Sequence, residues 1–170
     1  MSYFMPEKRK YVVGFLFDPT LSLVVLIRKL RPGFQAGLLN GVGGKVELGE
    51  TGYQAINREF FEEAGIPDLP WKHYLTLNTP NSHLEFFSAI GNVHNVTTIL
   101  DEEVAVYEVL DVMDRCDTMP NIRWCIQMAR SLYFGERASG FEVTENALSD
   151  QHHDHDQMSF DFEANAVVKP

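Results

Sequence analysis

The chain has 170 residues, 45% of them hydrophobic, enough for one domain with a sizeable core. Its net charge of -10 excludes non-specific nucleic-acid binding, which needs a basic footprint, and repels polyphosphate at long range unless local cations intervene. No apolar run is long enough to cross a bilayer, and Tyr11–Phe17, behind Lys8, Arg9 and Lys10, is too short for a signal peptide. Cys116 and Cys125 lack C-x-x-C spacing and read as ordinary thiols of a reduced, cytoplasmic protein.

Lys10–Phe17 and Ser22–Lys29, parted by Asp18-Pro19-Thr20, predict a β-hairpin or two adjacent buried strands. Arg28, Lys29 and Arg31 follow at the end of the second run. Guanidinium groups grip phosphate oxygens in bidentate fashion, so this cluster is a candidate phosphate clamp, with Arg28 the first choice. The stretch GFQAGLLNGVGGKV, Gly33–Val46, comes next. Its glycines punctuate short strand pieces and let backbone approach a ligand.

A helix is predicted after Thr51, a good N-cap, with Gln54 completing a capping box. Gly65 suits the left-handed cap and Pro67 prevents continuation. Tyr53, Ile56, Phe60 and Ala64 form the expected apolar stripe, and Glu59, Glu62 and Glu63 share a neighbouring face. Carboxylates one turn apart repel by roughly 3 kcal/mol per pair at an effective dielectric near 20. Arg58 alone cannot balance three of them. A divalent cation reverses the sign, and hard oxygen ligands without Cys or His nearby point to Mg²⁺ or Mn²⁺.

Trp71–Leu77 and His83–Ile90 read as strands around a Pro80-Asn81 turn, with Leu84, Phe86 and Phe87 expected in the core, and stacking against a base as the alternative. Val104–Leu110 predicts another strand, preceded by Asp101-Glu102-Glu103. Asn121–Phe134 predicts a second helix after Pro120. Ile122, Cys125, Ile126, Ala129, Leu132 and Tyr133 make its apolar side, and Asn121 suits the N-cap. Beyond it the composition turns acidic. Residues 1–137 are therefore expected to form the domain and 138–170 a weakly ordered acidic tail, in which Gly140–Glu145 could add a short strand. His152, His153 and His155 are expected in that solvated tail rather than in a metal site.

The spacing around the first helix is more specific. Gly44 is followed after five residues by Glu50, then after seven by Arg58-Glu59-Phe60, and then by Glu62-Glu63, Gly65 and Ile66. This resembles the Nudix box, G-x5-E-x7-R-E-U-x-E-E-x-G-U with U apolar, and every defined position is filled. The resemblance spans roughly Tyr11 to Phe134. It implies the α/β Nudix fold, a mixed sheet sandwiched between helices (α/β/α), and metal-dependent hydrolysis of a nucleoside diphosphate linked to another moiety.

The resemblance also assigns roles. Glu62, Glu63 and the Gly44 carbonyl would hold metal, and Glu59 would be general base or bridging carboxylate. Glu50 would ligate or orient, and Arg58 would hold a glutamate in place. Glu102, with Glu103 second, would supply a carboxylate from outside the box. Asn40-Gly41-Val42-Gly43-Gly44-Lys45 resembles the loop of members that sanitise nucleoside triphosphates, which places Asn40 on the base and Lys45 on the substrate. Met119-Pro120-Asn121-Ile122-Arg123-Trp124 resembles the start of the C-terminal helix in MutT-like members, where Asn121 would read the base.

The expected substrate is thus a modified nucleoside triphosphate such as 8-oxo-dGTP, cleaved to monophosphate and pyrophosphate. The expected partner is a small nucleotide, with a homodimer left open. ADP-ribose, a dinucleotide or capped RNA are the alternatives. The coenzyme A and SQPWPF patterns are missing, Pro80 does not match the ADP-ribose offset, and the cysteine expected of an isoprenoid diphosphate isomerase is absent. A non-catalytic nucleotide sensor would usually have lost glutamates that this box keeps.

Overall fold

The computed structural model describes residues 8–134 and 141–144. Strands β1 (Arg9–Phe17) and β2 (Leu23–Arg28) fall on the two apolar runs. They meet antiparallel at Phe17 and Val24, but then take different neighbours. β1 runs parallel to β5 (Ser82–Ile90), and its other edge bridges Val42 and Lys45. β2 pairs with the short β3 (Leu39–Asn40) and with β6 (Val104–Glu108). β4 (Lys72–Asn78) forms an antiparallel hairpin with β5 around the expected turn. β7 (Phe141–Thr144) lies parallel beside β4, so the seven-stranded mixed sheet takes a strand from beyond residue 137. The rest of the expected acidic tail, including its histidines, lies outside the described residues.

Strand periodicity feeds two cores. Val12, Leu16, Val25 and Ile27 pack with Ala55, Ile56, Phe60 and Ala64 of α1 (Gly52–Ala64) on one face. Val13, Phe15, Phe17, Val24 and Leu26 pack on the other face with Val109 and Val112 of α2 (Val109–Asp114) and Ile122, Cys125, Ile126 and Ala129 of α3 (Ile122–Ser131). Successive strand side chains point to opposite faces, so a sheet covered on both sides needs near-continuous apolar runs. Phe86 and Phe87 illustrate the split, one in each core. The architecture is α/β/α.

Three local expectations need correction. The strand expected to reach Leu110 ends at Glu108, and α2 begins at Val109 because Val109 and Val112 sit one helical turn apart and bury together. The second helix stops at Ser131, and Leu132–Phe134 form a turn. Asn121 precedes α3, but its side chain makes no capping hydrogen bond.

Candidate active site

The acidic residues ride on α1, whose ends are fixed locally. The Thr51 hydroxyl accepts from the Gln54 amide at 3.2 Å, and the Thr51 amide donates back to the Gln54 side chain at 2.9 Å. Such a cap is worth about 1 kcal/mol. Gly65, at φ 74°, takes the left-handed cap and donates to the Phe61 carbonyl at 3.0 Å. The buried face is Ala55, Ile56, Phe60, Glu63 and Ala64. Tyr53, expected in that stripe, is half exposed and sends its hydroxyl to the Leu69 carbonyl. A glutamate therefore stands among the residues α1 buries.

The approach loop presses against this helix. A Cβ at Gly43 would lie 2.1 Å from the Val12 carbonyl oxygen, and one at Gly44 would lie 2.5 Å from the Glu59 carboxylate. Against the Val12 backbone only glycine fits at Gly43, whereas a side chain at Gly44 would displace the Glu59 carboxylate from its place. The Gly44 carbonyl accepts from the Val12 amide at 2.9 Å, which leaves its second lone pair available.

Arg58 gathers the glutamates. Its Nε and Nη2 grip the two oxygens of Glu50 at 2.7 and 3.0 Å, and Nη2 also reaches the Lys45 carbonyl at 3.0 Å. Its Nη1 reaches Glu59 at 2.9 Å and Glu62 at 3.1 Å. The hydrogen bond from Arg58 holds the Glu50 carboxyl below its usual range. Glu59 goes the other way, because burial raises it more than Arg58 lowers it. Burial pushes Glu63 furthest, to about 7, against the opposing pull of Lys29 and with Glu59 and Glu102 adding to the rise. Its Oε2 is buried with no partner.

Glu102 reaches the same place from the turn before β6. It accepts from the Lys29 ammonium and from the Leu30 and Arg31 amides at 2.7 and 3.3 Å. Burial alone would raise its pKa, but these donors hold it below the usual range. Lys29 Nζ also stands 4.0 Å from Glu63 Oε1. Glu103 is exposed, and its carbonyl accepts from the Arg28 amide.

The candidate substrate residues fall on another side. Arg28 donates to the Gly37 carbonyl at 2.7 Å and to Asp117 at 3.1 Å. Asn40 Oδ1 accepts from the Gly41 amide at 2.8 Å. Leu39 bridges Thr118, with hydrogen bonds to the Asp117 carbonyl and from the Met119 amide, so the stretch leading to Asn121 runs beside β3. Asn121 Oδ1 is buried and unpartnered. The Lys45 side chain is exposed. Arg31 pairs with Asp101 at the surface.

Sequence reasoning weighed Lys29 only as a phosphate ligand and passed over Asp117. Strand parity could have found the first, since Lys29 continues the α1-facing series Val25, Ile27 whereas Arg28 continues Val24, Leu26. Asp117 pairs locally with Arg115, two residues before it, but its contact with Arg28 joins segments distant in sequence and leaves no local signal.

Among the described residues, no three His, Cys, Asp or Glu side chains already close on one point as a metal cluster would. Arg58 and Lys29 take up the intervening oxygens. The donors nevertheless suit a hard divalent cation: oxygens throughout, a buried Glu63 oxygen without a partner, and a glycine in contact with Glu59.

The profile of the family described as NUDIX domain matches residues 7–124. The oxidized purine nucleoside triphosphate hydrolase of Danio rerio is 52% identical over 52 residues, 28% of this chain and 33% of that protein. The mouse (Mus musculus) protein of the same name is 39% identical over 62 residues, 36% of this chain and 38% of that protein. The matched stretches thus span little more than a third of these relatives at most. Among solved structures, MutT from a study of Aliivibrio salmonicida and Vibrio cholerae aligns with TM-score 0.58 at 20% identity, over 72% of this chain and 96% of that one. The NUDIX domain of Shewanella oneidensis NrtR, solved with ADP ribose, aligns with TM-score 0.64 at 18% identity, over 75% of this chain and 89% of that one. At these identities the structural likeness is one of fold.

Proposed function

The chain belongs to the Nudix family, and from that premise we propose that it hydrolyses a phosphoanhydride bond of a modified purine nucleoside triphosphate, releasing monophosphate and pyrophosphate. The observation that carries this reading is Glu63, a buried carboxylate whose Oε2 has no hydrogen-bond partner among the described residues, in a site built of oxygen donors. The name shared by the fish and mouse relatives supports the choice of substrate.

Glu59, Glu62, Glu63 and the Gly44 carbonyl would hold Mg²⁺ or Mn²⁺, with Glu50 and Glu102 as outer carboxylates. Such an ion, when bound, neutralises diphosphate charge and makes water acidic enough to attack at neutral pH. Glu59 takes the proton from the attacking water, and burial makes it a stronger base than a fully exposed carboxylate. Arg58 fixes the direction of Glu50, Glu59 and Glu62 at once. Arg28 and Lys45 contact phosphate oxygens. Asn40 and Asn121 offer donor and acceptor groups to the base, and Asn121 has a buried acceptor free for it. Both cysteines are free, in keeping with the reduced, cytoplasmic setting proposed from the sequence.

A panel of nucleotides assayed with Mg²⁺ and with Mn²⁺, following pyrophosphate and phosphate release, tests the reading. Preference for 8-oxo-dGTP with pyrophosphate release is expected. Preference for ADP-ribose or a dinucleotide would make the two asparagines structural. Glu59→Gln and Glu62→Gln should each lower kcat at least about a hundredfold, as loss of acid–base or metal chemistry does. Turnover near wild type in both would reject the site.

A further inference from the structure

We infer that Lys29 is a built-in placeholder cation: its ammonium stands between Glu63 and Glu102, positions both carboxylates, and competes with a divalent ion for them. The inference rests on the proposed metal-dependent reading.

The lysine is placed with little freedom. Its amide donates to the Leu38 carbonyl at 2.9 Å, and its own carbonyl accepts from the Gly37 amide at 2.8 Å. Its position in β2's alternation aims it at α1, and the side chain is only 14% exposed. Glu102 bonds the ammonium and is anchored independently by the Leu30 and Arg31 amides. Glu63 comes from α1, and its Oε1 stands 4.0 Å from the same ammonium.

One ammonium thus serves two carboxylates from different elements. Its single charge cannot neutralise both. Glu63 Oε2 also keeps no partner, although Glu63 is only 8% exposed. Two buried carboxylates without a cation would repel each other at close range, so Lys29 keeps them together. A doubly charged ion satisfies the pair better, but it must approach against the lysine's positive charge. Lys29 therefore stabilises the acidic pocket at the expense of metal affinity. Its role is positioning, since it acts through Glu63 and Glu102.

The test is a Mn²⁺ titration of the full chain after chelator treatment, with free Mn²⁺ read by electron paramagnetic resonance. Lys29→Met removes the charge and keeps the apolar stem. Lys29→Gln removes the charge but keeps a donor for Glu102, and serves if the methionine variant does not fold without metal. Both neutral variants should bind Mn²⁺ at least about tenfold more tightly than wild type, because the positive charge that competes for the same two carboxylates has been removed. Without metal they should also melt at lower temperature, with Mn²⁺ restoring the loss. Lys29→Arg should bind within a few-fold of wild type. If wild type binds Mn²⁺ and the neutral variants bind it equally or more weakly, the placeholder role is overturned and the hydrolase reading stands. If wild type binds no Mn²⁺, both fall.

Discussion

Arg58 shows why residue type matters more than charge at this site. Its fork meets both oxygens of Glu50 while the far nitrogen reaches Glu59 and Glu62. The hydrogen bonds to Glu50 raise the guanidinium's pKa further, so the group stays charged at any working pH. A lysine offers a point charge on a flexible stem and cannot span three carboxylates in fixed directions. Arg58→Lys should therefore lower kcat about ten- to a hundredfold, the usual cost of losing a group that orients metal ligands, while leaving net charge unchanged. Steady-state kinetics at saturating metal measure this, and a kcat equal to wild type would show that charge alone suffices. The grouping of Arg58 with the four box glutamates was legible in the sequence, because Glu59, Glu62 and Glu63 follow Arg58 at helical spacing and Glu50 stands at a fixed offset in the loop before α1. Their partners outside the box were legible only in part. Glu102 could be named from its place in the chain, but its bond to Lys29 depends on how the β6 approach meets the end of β2.

At the scale of elements, α1 could be read to the residue because its signals are local. Thr51, Gln54 and Gly65 act on backbone within one turn of themselves. The parallel pairing of β1 with β5 has no such local signal, since it joins segments separated by the whole of α1 and β4. α2 escaped for a different reason, being six residues of apolar and acidic character continuous with a strand. The stretch before α3 is held by Asp117, which receives Arg115 at 2.7 and 2.6 Å and Arg28 at 3.1 Å. The hydrogen bond from Arg115, with help from Arg28, lowers its pKa to about 2. A carboxyl lowered in the fold stabilises it above the unfolded pKa of 3.8, and the contribution disappears as pH falls toward 2. The group is a third exposed, so the effect should be below about 1 kcal/mol. Wild type should melt slightly above Asp117→Asn from pH 7 down to about 4, and the two curves should converge near pH 2. A gap that widens on acidification would mean that the Arg115 and Arg28 contacts do not stabilise the fold. Because Asp117 also restrains Arg28, the same variant should raise KM for the nucleotide more than it lowers kcat.

The whole molecule places like charge against like. It carries a net charge of -10, and its proposed substrate is a polyanion. Four of the cations near the site do not offset this at a distance, because they have carboxylates of their own: Arg28 with Asp117, Lys29 with Glu102, Arg31 with Asp101 and Arg58 with Glu50. A nucleotide approaching through dilute buffer therefore meets the repulsive field before it meets any donor. The screening length falls from about 30 Å at 0.01 M salt to about 8 Å at 0.15 M, shorter than the span of the domain. Contacts inside the site are partly buried and lose much less over the same range. The two effects differ in sign, and the long-range one should win for encounter. At fixed free Mg²⁺, kcat/KM should rise a few-fold as sodium chloride increases from about 0.01 to 0.15 M, while kcat stays nearly constant. A fall over that range would mean that exposed cations such as Lys45 steer the substrate despite the overall charge. The same titration carries a second expectation. Removing either ammonium takes the net charge one unit further from neutral, so Lys29→Gln and Lys45→Gln should both steepen the salt dependence of kcat/KM at saturating metal, Lys45→Gln the more because its side chain is exposed.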